Sequence, residues 1–168
     1  MHLPFHIYIV AEAWDLAACT ALRQMVFCDE QGLFVGSDQD AIDEVAITLA
    51  AVSSEQVVGT VRIHEALSGE AVGGLWFGSR LAVRRDVRRA GGIGAELIRH
   101  AVGFARARGA NDFRAHVQQS NVAMFHALHW HILAPILLHG YPHTLMQADL
   151  AFYPALDAGA ATPLRSAA

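Results

Sequence analysis

The sequence of 168 residues has no lysine, only two cysteines and no long apolar run. A helix that crosses a bilayer needs about 20 consecutive apolar residues, so we expect no association with a membrane. Cys19 and Cys28 form no CxxC pair, which favours reduced thiols over a disulfide framework or a zinc site. The first residues, MHLPFHIYIV, carry no basic flank and no small-residue cleavage site, which predicts a cytoplasmic protein without a signal peptide.

The charged residues are few and unevenly distributed along the chain. They make up 17% of the sequence, against 54% hydrophobic residues, and the net charge is −4. Residues 80–108 hold eight of the twelve arginines and two acids, a net charge of +6. Residues 12–70 hold eleven acids and two arginines, a net charge of −9. One short basic block in an acidic chain argues against nucleic-acid binding, which needs a broad basic face.

Hydrophobic periodicity predicts one α/β domain over residues 1–154 and a flexible tail at 155–168. The first helix is expected at 15–28, with Asp15 as its N-cap. Its predicted apolar face consists of Ala18, Leu22, Met25 and Val26. Two further helices are expected at 91–108 and at 121–128, the second capped by Asn121. Strands are expected at 6–11, 46–53, 57–64, 75–83, 113–117, 132–138 and 144–152, with turns at 53–55, 68–70 and 139–143.

A run of arginines and glycines, RRDVRRAGGIGAELI, follows the predicted strand at 75–83 and leads into the helix at 91–108. Glycines let the backbone approach a ligand closely, and the first N–H groups of a helix attract anions. The segment has neither a P-loop motif nor a GxGxxG motif, so we expect a phosphate site of another type. The side chains that could add charged phosphate donors are Arg84, Arg85, Arg88 and Arg89.

The segment Arg-Ala-Gly-Gly-Ile-Gly-Ala at 89–95 resembles the (Arg/Gln)-x-x-Gly-x-(Gly/Ala) signature of the GNAT superfamily of acyl-CoA-dependent N-acyltransferases. The predicted order of elements over residues 5–152 is also similar to that family. The resemblance implies a GNAT fold, an α/β (α+β) structure with a mixed, mostly antiparallel sheet of about seven strands flanked by helices. It implies an enzyme that transfers acetyl from acetyl-CoA, or another acyl group from its acyl-CoA, to a primary amine of a small molecule in a ternary complex. No metal is implied, and a homodimer is one expected assembly.

The resemblance also implies where the cofactor binds. Backbone groups of residues 81–83 would pair with the pantetheine arm, and the Val83 amide would face the thioester oxygen. N–H groups of residues 91–95 would hold the pyrophosphate. The full set of predicted cofactor-binding residues is Leu81, Ala82, Val83, Arg88, Arg89, Gly91, Gly92, Ile93, Gly94, Ala95, Asn121 and Phe125.

Longer stretches are similar to one GNAT subgroup, the N-acetyltransferases of bacterial nitrogen-starvation clusters, which are encoded beside a nitrilase. They include LRQMVFCDEQG at 22–32, DQDAIDEVA at 38–46 and FHALHWHIL at 125–133. The subgroup implies a role in nitrogen metabolism and leaves the acceptor amine open.

Two alternative functions stay open at this point. The R-x-x-V-F stretch at 23–27 and the D-x-x-D pair at 40–43 are also similar to acyl-homoserine-lactone synthases, which use longer acyl chains. Pocket depth beside Trp76 and Trp130 would distinguish such a long-chain N-acyl synthase. The other alternative is a non-catalytic acyl-CoA-binding sensor, because Phe125 stands where many GNAT enzymes have a tyrosine that protonates the leaving thiolate.

Amine acylation requires a base, because an ammonium ion must lose a proton before it attacks. Glu30 at the end of the first predicted helix is the first candidate, followed by His64 and His116 near strand ends. Three arginines lie in apolar elements, where an unpaired charge is costly. They either pair with carboxylates of the acidic loop at 29–44 or hold a carboxylate of the substrate. The predicted substrate-binding residues are Arg23, Asp43, Arg62 and Arg80.

Overall fold

The computed structural model describes residues 3–67 and 73–157. The strands are β1 (His6–Ile9), β2 (Ile47–Ser53), β3 (Gln56–Glu65), β4 (Leu75–Val83), β5 (Asp112–Gln118), β6 (Trp130–Leu138) and β7 (Tyr141–Ala148). The helices are α1 (Ala13–Arg23), which continues as a π-helix (Gln24–Glu30), α2 (Ile93–Ala107) and α3 (Val122–Ala127). Each strand and helix that the periodicity predicts is therefore present, with shifted ends.

The strands form one sheet of seven, in the order β1-β2-β3-β4-β5-β7-β6. Neighbouring strands are antiparallel except β4 and β5, which pair in parallel. The predicted mixed, mostly antiparallel α/β sheet is confirmed. The predicted turn at 68–70 lies outside the described residues, as does the predicted tail from residue 158 onward. Near the start of that tail, Leu156 still donates its N–H to the carbonyl of Gly103 in α2, over 3.0 Å.

The helices cover both faces of the sheet. α2 and α3 pack on one face around a core that includes Leu97, Phe113 and Phe125. On the other face, α1 and the π-helix lie over β2, β3 and β4, where Leu22 of α1 packs with Ala82 of β4. The sheet is thus the middle layer at β3 and β4, the strands that contribute to the site described below.

Two predicted helix caps differ from the structure. The first helix begins at Ala13 after an extended Glu12, so Asp15 is not the N-cap. Asp15 lies in the first turn of α1 and is buried, 2% exposed, because the helix starts two residues earlier than the polarity pattern suggests. Asn121 does occupy the N-cap position of α3, but its side chain makes no capping hydrogen bond.

The first helical segment buries a stripe of side chains that differs from the predicted apolar face. The residues of this stripe follow ordinary helical spacing, and each is at most 5% exposed: Asp15, Cys19, Leu22, Arg23, Val26 and Phe27. Met25 lies off the stripe and is 46% exposed. The predicted apolar face is wrong at this position, because two members of the buried stripe, Asp15 and Arg23, are charged and do not register in a hydrophobic pattern.

Strands β6 and β7 form a tight hairpin. Its two turn residues, His139 and Gly140, have φ values of +50° and +78°, as in the two-residue turns that match the twist of paired strands. Strand β7 therefore runs from Tyr141 to Ala148, not over the predicted 144–152, and Leu150–Phe152 form a 3-10 turn. The predicted five-residue turn is too long, because the sequence does not reveal that a histidine adopts the left-handed conformation.

Glycines mark both ends of α2. Gly91 and Gly92 precede the helix with φ values of +78° and +65°, and Gly109 follows it at +95°. Left-handed backbone of this kind favours glycine, so the predicted helix at 91–108 is confirmed with its first two residues outside. Within the described part of the chain, the helices are too short or too polar to cross a membrane.

Candidate functional site

The sheet opens between β4 and β5. These strands pair from Leu75–Asp112 to Gly78–Ala115, and the pairing stops there although both strands continue. Just beyond, Arg80 has a φ of +55°, and the register of β3 against β4 shifts near it. A bulge of this kind bends a strand and increases its twist. The result is a gap in the middle of the sheet, which we call the β4–β5 cleft.

The cleft has a volume of about 150 Å³ and is apolar at one end and polar at the other. Its apolar side chains include Phe27, Val61, Ile98, Ala101, Phe113, Phe125 and Trp130. Its polar side chains are Ser79, Arg80, His116, Gln118, Asn121, His139 and His143. Among the described residues, the ionisable side chains of the lining are thus one arginine and three histidines, with no carboxylate.

Phe34 connects two segments beside the cleft. Its ring lies 4.6 Å from the guanidinium carbon of Arg80 and 4.6 Å, ring to ring, from His139 at an edge-on angle. The loop after the π-helix therefore contacts the tip of the β6–β7 hairpin. Both contacts belong to residues that line the cleft, so they fix its polar end.

The N-terminus of α2 lies next to the end of β4. A Cβ added at Gly94 would lie 3.8 Å from Val83 Cγ2, an ordinary contact distance. The first intrahelical bond runs from Glu96 N–H to Gly92 O, over 3.0 Å. The N–H groups of residues 93–95 therefore precede the helical hydrogen-bond ladder and point out of the helix end, where the dipole favours an anion. This is the geometry that the Arg–Gly segment predicts.

Two arginines of the turn before α2 are engaged within the protein. Arg88 donates to the carbonyl of Val83, over 2.8 and 3.1 Å, and its Nη2 also donates to Glu30, over 3.1 Å. Arg84 pairs with Asp86, over 2.7 Å. The remaining two of this group, Arg85 and Arg89, are exposed.

The backbone of β4 presents alternate residues to the cleft. Arg84 donates its N–H to Val58 O of β3 over 2.9 Å, and neighbouring residues of a strand point their N–H groups to opposite sides. Val83 and Leu81 therefore direct their backbone N–H groups toward the β5 side, away from β3. Ala82 directs its groups toward β3, with which it pairs at Thr60. Of the three predicted pantetheine contacts, two thus face the cleft.

The three arginines in apolar elements pair with carboxylates of the acidic loop. Arg23 binds Asp38 over 2.7 Å and Asp43 over 2.7 Å. Arg62 binds Asp40 through both oxygens, over 2.7 and 3.0 Å. We call this set, together with Arg80, the arginine–aspartate cluster. Of the two alternatives that the sequence left open, the structure shows pairing of these arginines with the acidic loop. Within the cluster, Arg23 and Arg62 are only 3% and 2% exposed.

Arg80 completes the cluster at the edge of the cleft. Its Nη2 donates to the carbonyl of Asp38, over 2.9 Å, and its Nε lies 3.1 Å from the Asp38 carboxylate. Asp38 is itself 1% exposed. No periodic signal marks Asp38. Only the burial of three arginines, which must be neutralised, could have indicated it.

The cluster shifts the pKa values of its members. Hydrogen bonds from Arg62 hold the pKa of Asp40 below its usual value against the opposing effect of burial. Burial alone would raise the pKa of Asp43, but hydrogen bonds from Arg23, the Asp40 backbone and Arg62 outweigh it and lower the pKa strongly. Burial, together with the neighbouring Arg62, lowers the pKa of Arg80. The two carboxylates are therefore ionised at neutral pH and are poor bases.

The three predicted bases lie in different places. Glu30 is bound to Arg88 and is not part of the cleft lining. His64 is buried and stacks on Phe77, with ring centres 5.8 Å apart, and it also stands outside the lining. His116 lines the cleft, and its ring also stacks on Phe77, with ring centres 5.8 Å apart. The structure thus brings one of the three to the cleft.

His143 is a further candidate that the sequence did not suggest as a base. It lines the cleft, is 8% exposed, and its Nδ1 lies 3.0 Å from the carbonyl of Tyr141. A carbonyl only accepts hydrogen bonds, so Nδ1 carries a proton and Nε2 of the neutral ring is the basic nitrogen. The sequence placed this residue in a turn. Its pairing with Gln118 across β5 and β7 is what brings it to the cleft.

The structure offers no described tyrosine to the cleft lining. Phe125 lines it and contacts Trp130 edge-on, with ring centres 4.9 Å apart. Tyr153 lies nearby, but its hydroxyl accepts from Trp130 Nε1, over 3.0 Å, and donates to the Leu128 carbonyl. Within residues 3–67 and 73–157, no three His, Cys, Asp or Glu side chains cluster as metal ligands.

Comparisons with known proteins agree with this geometry. Several solved structures share the fold. An acyl-CoA N-acyltransferase from Pseudomonas aeruginosa has 20% identity and a TM-score of 0.72, over 87% of this chain and 99% of that chain. A ribosomal-protein-alanine N-acetyltransferase from Brucella melitensis has 19% identity and a TM-score of 0.69, over 84% and 98%. The CoA-dependent acyl-homoserine lactone synthase BjaI, solved with SAM and isopentyl-CoA, has 19% identity and a TM-score of 0.69, over 86% and 82%.

No curated protein sequence matches the chain. A protein-family model does match the chain over residues 13–130, and it is described as "Acetyltransferase (GNAT) family". This range runs from the start of α1 to the start of β6 and contains the Arg–Gly segment, the open end of β4 and all of β5. The chain belongs to the acetyltransferase (GNAT) family.

Proposed function

We propose that this protein transfers an acyl group from acyl-CoA to a primary amine of a small molecule, in a ternary complex. The observation that carries the proposal is the meeting of two features at the end of β4: an open strand edge and the free N–H groups of α2. An extended ligand with amides in its arm and phosphates at its end requires both. Members of the GNAT family use acyl-CoA, and acetyl-CoA is the donor that the sequence favours.

Acyl-CoA supplies the activated thioester, and the chain binds and orients it. In the proposal, the backbone groups of Leu81 and Val83 hold the amide-bearing arm, with Asn121 and Phe125 beside it. The N–H groups of residues 93–95, after the left-handed Gly91 and Gly92, hold the phosphates, with Arg89 as an added cation. Arg88 keeps Val83 in position through its carbonyl. The Val83 N–H donates to the thioester oxygen as negative charge develops there.

An imidazole of the cleft takes the proton from the attacking amine. His143 is the first choice, because its Nδ1–H is held by the Tyr141 carbonyl and Nε2 is left to accept the proton. His116 is the second. The amine nitrogen forms the new amide bond, the carbon–sulfur bond breaks, and the proton on the imidazole returns to the thiolate or to water. The absence of a tyrosine at Phe125 is tolerable, since a thiolate is a moderately stable leaving group.

The donor site is tested by replacing Gly94. Its added side chain would point between Val83 and Met124 without a clash at Cβ, and an acid in the first turn of a helix is favourable. Gly94→Asp should therefore fold normally and lose CoA affinity at least tenfold by calorimetry, because a carboxylate repels phosphate. Gly94→Ala, which adds no charge, is the matched control and should lose much less. Unchanged CoA binding by G94D would refute the donor site.

The base is tested by CoA-thiol release from acetyl-CoA with a panel of amines. His143→Asn should lower kcat by about 100-fold or more, with CoA affinity unchanged. His126→Asn, on the exposed side of α3, is the control. A comparable loss in His116→Asn or Glu30→Gln alone would move the base to that residue. If the protein binds acyl-CoA but releases no CoA thiol with any amine, the result would instead favour a non-catalytic acyl-CoA-binding sensor.

The narrower features of the sequence interpretation remain part of the proposal. The similarity to nitrogen-starvation N-acetyltransferases supports a small nitrogen compound as acceptor, and the cytoplasm supplies acyl-CoA. The acceptor enters at the polar end of the cleft, beside the three histidines and Arg80. The carboxylates of the acidic loop at 38–43 bind the arginines of the arginine–aspartate cluster, so they are not available to attract a cationic amine. The predicted homodimer is tested by measuring the molecular mass of the purified protein by sedimentation.

A further inference from the structure

The inner end of the β4–β5 cleft reaches into the hydrophobic core. We define the inner end by six lining side chains that are each at most 6% exposed: Val61, Ile98, Ala101, Phe113, Phe125 and Trp130. They come from β3, α2, β5, α3 and β6, so the cleft passes the plane of the sheet and enters the layer between sheet and helices. Protein interiors are normally close-packed, and an opening in this layer is therefore an informative feature.

Small residues border the inner end. A Cβ added at Gly78 would lie 3.0 Å from Phe113 Cε1, so the Phe113 ring lies directly against the bare backbone of β4. On the opposite wall, α2 contributes the methyl group of Ala101 between larger core residues. The walls of an apolar cavity lack dispersion contacts on one side, which destabilises the fold. A ligand that fills the space restores those contacts.

We infer that the inner end is a binding site for the donor's acyl chain, and that the preferred donor carries an apolar acyl group of about four to six carbon atoms. The inference rests on the proposed function, which brings the thioester to the open edge of β4. The whole cleft, its polar end included, has a volume of about 150 Å³, and an apolar cavity of roughly that size holds a benzene molecule. The inner end is a part of this volume, so it accepts a short apolar chain and excludes a long one.

The walls also define the chemistry of the chain. The six core side chains carry one polar atom in total, the indole nitrogen of Trp130, which donates to Tyr153 over 3.0 Å. A hydroxylated or charged acyl group would find no described partner among these six and would lose its hydration. Trp130 lines the inner end, whereas Trp76, the other residue expected to report pocket depth, packs in the core outside the lining.

The experiment measures the affinity of the purified full chain for CoA, acetyl-CoA, butanoyl-CoA, hexanoyl-CoA and dodecanoyl-CoA by calorimetry, without any acceptor. Each buried methylene is worth about a fourfold gain in affinity. We expect hexanoyl-CoA to bind at least about tenfold more tightly than acetyl-CoA, with no further gain for dodecanoyl-CoA because a cleft of about 150 Å³ is too small for a chain of that length.

A cavity-filling variant provides the second measurement. Ala101→Leu occupies the inner end, so it should reduce hexanoyl-CoA affinity to the level of acetyl-CoA while the affinity for CoA itself changes less than twofold. Ala107→Leu makes the same change on the exposed end of α2 and should keep the chain-length preference. Thermal unfolding establishes that both variants are folded, and the wild-type series stands by itself if A101L is not.

The outcomes separate the two proposals. An affinity that stays flat or falls from acetyl-CoA to hexanoyl-CoA, while CoA still binds, overturns the acyl-chain site alone. An unchanged preference in folded A101L overturns it as well. Failure of the wild-type protein to bind CoA or any acyl-CoA overturns the proposed function first.

Discussion

Asp38 shows how much a single side chain in a loop can matter. It is 1% exposed and lies between two guanidinium groups, at 2.7 Å from Arg23 and 3.1 Å from Arg80. Its second oxygen is buried without a hydrogen-bond partner, so the carboxylate is held by charge more than by a full set of hydrogen bonds. Removing it leaves two largely buried cations without their shared counter-ion.

We predict that Asp38→Ala lowers the free energy of unfolding by about 3–5 kcal/mol, the usual cost of removing one partner of a buried ion pair. The measurement is urea unfolding followed by fluorescence. Asp86→Ala removes a carboxylate that also pairs with an arginine, Arg84, but on the surface, where ion pairs contribute little. Equal effects of the two substitutions would contradict this account of Asp38.

At the scale of elements, the contact between β3 and α2 sets the position of the helix N-terminus. An added Cβ at Gly59 would lie 2.8 Å from Leu97 Cδ1 and 2.9 Å from Ile93 Cγ2. Both side chains are fully buried, so neither has empty space to move into. Ile93 is the first residue of α2, and a displacement there also moves the N–H groups assigned to phosphate.

We predict that Gly59→Ala destabilises the fold by about 1–3 kcal/mol, as overpacking does, and weakens CoA binding at the same time. Urea unfolding and calorimetry on one protein preparation measure the two effects. Gly73→Ala is the control, because a Cβ there meets nothing within 4 Å. A stable G59A protein with wild-type CoA affinity would show that α2 adapts without moving its N-terminus.

The sequence predicted the parts of the molecule that depend on local pattern. The Arg–Gly signature at 89–95 and the strand at 75–83 are contiguous, so the fold and the proposed phosphate site could be inferred from them. The β4–β5 cleft draws its lining from strands, helices and loops far apart in the chain, and no spacing rule brings them together. For this reason the sequence did not indicate His143 as a base. The π-helix at 24–30 was not predicted either, because its amino-acid composition is that of an α-helix.

At the scale of the whole molecule, the uneven charge along the chain becomes partly balanced in space. The acidic loop at 38–43 folds back onto arginines of α1, β3 and β4, so that much of its charge is neutralised within the arginine–aspartate cluster. The basic turn before α2 keeps exposed arginines beside the helix end. Arg85 and Arg89 of the basic segment therefore stay available for an anion, while the carboxylates of the acidic loop contribute mainly to stability.

The lowered pKa values of Asp40 and Asp43 make stability depend on pH. As the pH falls below about 4, the ordinary range for an unfolded aspartate, the unfolded chain binds protons before the folded one does. The free energy of unfolding therefore decreases as pH falls through this range and is fully restored at higher pH. We expect the stabilities of wild-type protein and Asp43→Asn to differ most at pH 7 and the difference to shrink steadily as the pH falls below about 4, in urea unfolding at several pH values. A constant difference would contradict the ion-pair origin.

Strand β4 is an interior strand at its beginning and an edge strand at its end. Exposed edges invite pairing with other chains, which proteins commonly avoid by covering or bending them. Here the unpaired edge lies inside the sheet, faced by β5 across a gap, so another protein strand with its side chains is too bulky to enter. A thin, flexible molecule with amide groups can enter. The gap thus protects the protein from aggregation through this edge while it admits a small class of ligands.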